Sequence, residues 1–203
     1  MLRVLISFCL IAGAFSQSCS SDSCPTVTQK LESGHCPKIT VAPIDFDKQS
    51  GGWFLYQSSR NHFNYTDKCQ KLDWGKQING VSRVVYHSVS KLLDLTSVMI
   101  SEVVSNKQGT GFTYHLPIYG NLVREHLTLA TDPENYSVVW SCENRGSKHY
   151  AYSWVFIRSL TPPSDIKEKT REAFAKYNLK VPDMITHDLK ECSRTFAEYE
   201  YCG

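Results

Sequence analysis

Tyr150, Tyr152, Trp154 and Phe156 recur at every second position, and Arg124, His126 and Thr128 do the same upstream. His87 sits in the alternating set Val85, His87, Val89, and His115 in the set His115, Pro117, Tyr119. Residues two apart on a strand share one face. Rings presented that way stack on a flat conjugated molecule, while hydroxyl and imidazole groups meet its pyrrole or carbonyl groups. Arg124, His115 and His126 are suited to a ligand's carboxylates. This is the chemistry of holding rather than of turnover, which would need an activated nucleophile beside a base. Ser141 has no evident acid–base partner and the cysteines belong to a disulfide framework, so the chain reads as a non-enzyme with no catalytic residues. Cys/His groups with zinc spacing are missing, so no metal site is expected. An amine pocket would want buried carboxylates, which these sets lack. His87, His115 or His126 leaves haem scavenging as an alternative.

The elements that must position these side chains are short. Candidate strands run over 52–60, 69–77, 81–89, 95–105, 111–118, 122–131, 136–143 and 149–159, separated by turn signals such as Asn79-Gly80 and Asp132-Pro133. Eight such strands in sequence favour an up-and-down barrel, whose closure removes exposed edges. Trp53 opens the first strand and Arg158 ends the last. Where these ends meet, the guanidinium would lie over the indole, a contact worth roughly 0.5–2 kcal/mol. One helix follows Pro162-Pro163, with Asp165 and Glu168 as a capping box, Asn178 as its stop, and Ile166, Ala173, Phe174 and Tyr177 on one apolar face.

Residues 1–16 read as a secretory signal: Arg3, then an apolar run too short to span a bilayer, then small residues at 14–16. Residues 17–35 read as a flexible extension and 36–203 as the folded domain. Secretion to the extracellular space is expected. The 22 Lys and Arg against 20 Asp and Glu are scattered, so neither a nucleic-acid footprint nor a membrane span is present in the sequence. Of the eight cysteines, Cys9 leaves with the signal and seven remain for an oxidised framework. Asn64 and Asn135 head glycosylation sequons.

Cys36-Pro37, Gly51-Gly52-Trp53, Leu129-Ala130-Thr131-Asp132 with Asn135-Tyr136 and Ser141-Cys142, and Ser153-Trp154-Val155-Phe156-Ile157-Arg158-Ser159 occur in that order. Together they resemble the signatures of the lipocalin family, in its apolipoprotein D and insect bilin-binding (insecticyanin-like) branch, over roughly Cys36 to Cys192. Pro133 departs from the pattern, where the family usually has Tyr. The resemblance implies an all-β fold, an eight-stranded antiparallel up-and-down barrel with one C-terminal α-helix packed outside. It implies disulfides Cys36–Cys142 and Cys69–Cys192, with Trp53 and Arg158 as structural barrel-closing residues. Cys19 or Cys24 then joins Cys202, or the first two pair with each other; the residues do not choose. The resemblance also fixes the inward faces: Trp53, Leu55 and Gln57; Val85, His87 and Val89; His115, Pro117 and Tyr119; Arg124, His126 and Thr128; Val139 and Ser141; Tyr150, Tyr152, Trp154 and Phe156. The ligand-binding set is accordingly His87, His115, Tyr119, Arg124, His126, Tyr150, Tyr152 and Trp154. His35, His149 and His187 fall to loops or outer faces. The expected function is a secreted carrier of a small hydrophobic ligand, foremost a non-covalent biliverdin-type bilin or carotenoid. Retinoid, sterol or fatty acid is the alternative, and a homo-oligomer or a receptor stays open as partner.

Overall fold

The computed structural model describes residues 30–60, 67–116, 120–121, 124–190 and 192. The signal segment, Asn64, Pro117, Tyr119, Cys19, Cys24 and Cys202 lie outside them.

The strands are β1 (Glu32–Ser33), β2 (Gly51–Ser59), β3 (Asp67–Trp74), β4 (Val81–Ser90), β5 (Thr96–Ser105), β6 (Gly111–Leu116), β7 (Gly120–Asn121), β8 (His126–Asp132), β9 (Tyr136–Arg145), β10 (Lys148–Ile157) and β11 (Met184–Thr186). The helix α1 spans Ile166–Lys176. β2 to β6 and β8 to β10 pair antiparallel in sequence order, and β10 returns to β2. That closure makes the expected eight-stranded barrel. β7 is a short hairpin partner of β6, β1 adds to the start of β10, and β11 adds to the end of β2. Because Glu32 and Ser33 pair with His149 and Lys148, the last residues of the 17–35 extension belong to the sheet and are not loose.

Local chemistry explains the turns. Asn79 and Gly80 both have positive φ, 53° and 82°, and Ile78 and Val81 exchange two backbone hydrogen bonds across them. This is the hairpin that Asn-Gly selects. α1 ends as its sequence suggests: Asn178 takes φ 54°, and Leu179 N–H bonds the Phe174 carbonyl. Its start differs from expectation. Asp165 has φ −100° and ψ 7°, not the extended geometry a cap uses, and its side chain caps no backbone N–H. Instead Asp165 pairs with Lys169, and Glu168 with Arg171.

Two cores follow from strand alternation. Phe46, Trp53, Leu72, Val84, Val103, Phe112 and Val139 fill the barrel interior. Val138, Trp140, Val155, Ile157, Ile166 and Phe174 form the layer between the barrel wall and α1. Disulfides Cys36–Cys142 and Cys69–Cys192 are both present.

At the closed end Arg158 lies 3.6 Å from the centre of the Trp53 ring. Its Nε donates to the Pro133 carbonyl at 2.8 Å, Nη1 to Gly52 at 3.0 Å and Nη2 to Lys48 at 3.2 Å. Trp53 Nε1 donates to the Gln49 carbonyl at 2.7 Å. Pro133 thus leaves the turn serviceable, because Arg158 needs only its carbonyl. Gly51 is required beside them: its φ is 100°, and a Cβ there would stand 3.0 Å from Arg158 Nη1.

Candidate functional site

The closed half of the barrel is filled by its own side chains. Phe112 meets Trp74 and Phe46 edge-on, at centroid distances of 5.3 and 6.1 Å. The space left among Trp53, Leu72, Trp74, Phe112, Val139 and Phe156 is about 20 Å³. That volume holds one water and no larger guest. Drug-sized ligands occupy pockets of about 300–1,000 Å³, so this space is too small for one.

An aromatic column leads away from it. Phe112 stacks on His126 at 5.4 Å, and Tyr114 stands edge-on to His126 at 5.0 Å. His126 then meets Trp154 at 5.3 Å, Trp154 stacks on Tyr152 at 6.2 Å, and Tyr152 adjoins Tyr150 at 6.3 Å. Alternation along β10 gives Tyr150, Tyr152, Trp154 and Phe156 one face, as the sequence implies. β8 supplies His126 and Thr128, with Arg124 just before it.

Arg124 covers the Tyr152 ring at 4.0 Å and pairs with Glu143 at 3.1 Å. Arg145 takes the other oxygen of Glu143 at 2.6 Å, and the Tyr152 hydroxyl donates to the same carboxylate at 3.4 Å. Two guanidiniums therefore share one carboxylate, leaving the cluster with one net positive charge. Glu143 is a residue that sequence reading missed. Its signal was the placement of an acid directly across the ladder from Tyr150.

Burial sets the protonation of the column. His126 is pushed down to about 3, first by desolvation and then by the Arg124 charge. It is a neutral imidazole at physiological pH, and its Nδ1 has no partner among the described residues. Burial pushes the Tyr114 and Tyr86 hydroxyls up, with the Asp67 charge adding to Tyr86. Both stay protonated, and Tyr86 donates to Gln70 Oε1. Tyr152 is also raised, chiefly by burial.

Three inward assignments fail. On β4 the interior takes Val84 and Tyr86, so Val85, His87 and Val89 point outward. His87 Nε2 instead lies 3.1 Å from Asp73, and Val89 joins the outer core. On β6 the interior takes Phe112 and Tyr114, so His115 points outward, opposite Glu102 of β5. Both errors are a one-residue slip of phase, which exchanges the faces of a strand. The third is Gln57. A bulge where β10 passes Val155 and Phe156 sets Gln57 against Val155, and its side chain donates to Thr186 at 2.9 Å. His149 and His187 do lie on the outside of the wall, but the chain ends bury them. His149 Nδ1 is 2.9 Å from the Gly34 carbonyl, and His187 Nε2 is 2.9 Å from Ser58 Oγ. Asn135 is exposed, with its amide donating to Asp132 at 2.8 Å.

Residues 94–191 match the family described as Lipocalin / cytosolic fatty-acid binding protein family. Among solved structures, insecticyanin from the tobacco hornworm Manduca sexta aligns with a TM-score of 0.67 at 18% identity, over 81% of this chain and 92% of that one. Lobster apocrustacyanin A1 aligns at 0.63 and 16% identity, over 77% and 89%. The amine binding protein of Rhodnius prolixus, solved with tryptamine, aligns at 0.56 and 20% identity, over 79% and 88%. At these identities the likeness is one of fold.

Proposed function

We propose that the chain is a lipocalin, a reading supported by its barrel fold and by the family match over residues 94–191, and that it is an extracellular carrier for a small hydrophobic ligand of flat, conjugated type, with a biliverdin-type bilin or a carotenoid as first choice. The observation that carries this reading is the column from His126 through Trp154 and Tyr152 to Tyr150, beside Arg124. A flat π system can enter between such rings, gaining stacking at each one. The surplus positive charge of the Arg124–Glu143–Arg145 cluster suits a ligand bearing a carboxylate, which favours the bilin. Retinoid, sterol or fatty acid is the second choice, held by the same column, with the fatty acid alone of these sharing the bilin's carboxylate. The two disulfides support an oxidising, extracellular setting.

Binding here requires no chemistry from the protein. His126 is neutral and stacked against rings, and the Ser141 hydroxyl directly across the ladder from it donates to the Glu125 carbonyl at 2.7 Å rather than to the imidazole. His87 and His115 point away from the barrel interior, which leaves His126 as the inward histidine among the described residues that could meet a haem iron.

The absorption spectrum of protein purified from its source tests the proposal. A blue or green product with a long-wavelength band is expected, and native mass spectrometry should show one ligand per chain. A Soret band would transfer the reading to haem. A colourless protein whose tryptophan emission is quenched by retinol or a fatty acid, and not by biliverdin or a carotenoid, would overturn the pigment assignment.

A further inference from the structure

The outer face of β4 and β5 carries apolar side chains that the described residues leave exposed. Val98 is 57% exposed, Ile100 43% and Val104 42%, with Ile78 at one end of the ribbon and Leu93 and Leu95 at the other also exposed. The wall needs none of these for its own packing, because the interior phase belongs to Val84, Tyr86, Ser101 and Val103. Exposed apolar side chains grouped on one face in this way mark an interaction site.

Its charges indicate the occupant. Arg83 and Glu102 face each other across the β4–β5 ladder, both exposed, at the middle of the patch. On one side of that pair stand Val85 and Ile100, on the other Val81 and Val104, each an apolar pair in direct register. Consider a second copy turned by a two-fold axis that runs along the strands between β4 and β5. Heights along the strands are preserved, so each β4 lies over the other copy's β5. Arg83 then meets Glu102 of the second copy, Glu102 meets Arg83, Val81 and Val85 meet Val104 and Ile100, and His87 meets Val98. We infer that this face is an isologous homodimer interface, with two barrels packed wall to wall through β4 and β5. Self-complementarity of sign and of polarity is what a two-fold contact demands. An unrelated partner would have no reason to match both signs in reciprocal positions. The interface leaves the open ends of both barrels clear, so dimerisation and ligand binding are separate properties.

The test is charge reversal read by sedimentation or by light scattering after size exclusion, across roughly 1–100 µM, where specific complexes of ordinary affinity populate. The wild-type chain is expected to form a dimer. Arg83→Glu and Glu102→Arg should each weaken it at least tenfold by setting like charges against each other, while the double reversal R83E/E102R should restore it. Each single reversal also sets like charges opposite each other across the β4–β5 ladder of its own chain, so melting temperatures should drop slightly in the single variants and recover in the double one. Ile100→Lys supplies the same readout should a reversal fail to fold. A wild-type chain that stays monomeric throughout, or a dimer indifferent to both single reversals and to Ile100→Lys, would overturn the inference.

Discussion

Arg158 holds three carbonyls from two segments while covering Trp53, so one side chain at the end of β10 ties together the entry to β2 and the β8–β9 turn. Cation–π contact contributes about 0.5–2 kcal/mol, and each charged hydrogen bond adds about 1.5–3 kcal/mol when shielded and less where water competes. Arg158→Ala is therefore expected to lower unfolding free energy by about 2–4 kcal/mol in urea melts, with ligand affinity changed by less than threefold. Normal melting together with lost binding would move Arg158 into the ligand site. The closing pair was legible because an indole and a guanidinium at the two chain ends of a closed sheet have one obvious use. His87 and His115 were not. Each follows or precedes an aromatic residue, and a strand with bulky side chains on both faces gives no phase by alternation alone. The phase is decided by packing: Phe112, placed against Trp74 and His126, fixes Tyr114 inward and His115 out.

At the scale of elements, β11 and the segment after it act as a strap over β2. His187 N–H donates to the Tyr56 carbonyl, and the buried His187 ring pairs with Ser58 Oγ. Burial first, and then the Lys91 charge, push His187 down from 6.5 to about 4. The unfolded chain thus binds a proton at a pH where the folded chain does not. Stability is full above pH 6.5, falls as pH drops toward 4, and levels below it. A shift of that size is worth roughly 3 kcal/mol by linkage, and His126 extends the same trend toward pH 3. His187→Asn should flatten the dependence between pH 6.5 and 4 in melts followed by circular dichroism. An unchanged slope would show that the strap does not hold a neutral imidazole. The strap was invisible in the sequence, since Met184-Ile185-Thr186 is three residues long and acquires strand character only from the free edge of β2. The bulges have the same origin. They answer the curvature of closure, a property of the whole sheet, and so Gln57 could not be placed from its own neighbours. α1 was readable, because its apolar face and Asn178 are local signals.

Across the whole molecule, the two disulfides join residues 106 and 123 apart in sequence. Loops of that length cost the unfolded chain roughly 4–5 kcal/mol each by the entropic model, and often less in practice. Replacing Cys69 and Cys192 together by Ala should lower the denaturant midpoint and free the strap, whereas an unchanged midpoint would mean that packing alone holds it. The barrel so secured has a filled closed half and an aromatic, positively charged route at the open end. A biliverdin titration followed by tryptophan quenching and visible circular dichroism tests that division. Wild-type protein should bind one equivalent. Tyr152→Ala and Arg124→Ala should each weaken binding by about tenfold, the loss of roughly 1.4 kcal/mol of stacking or charge contact. His87→Ala and His115→Ala, which point away from the barrel, should bind as wild type does. Loss of binding in the latter pair with retention in the former would contradict the account.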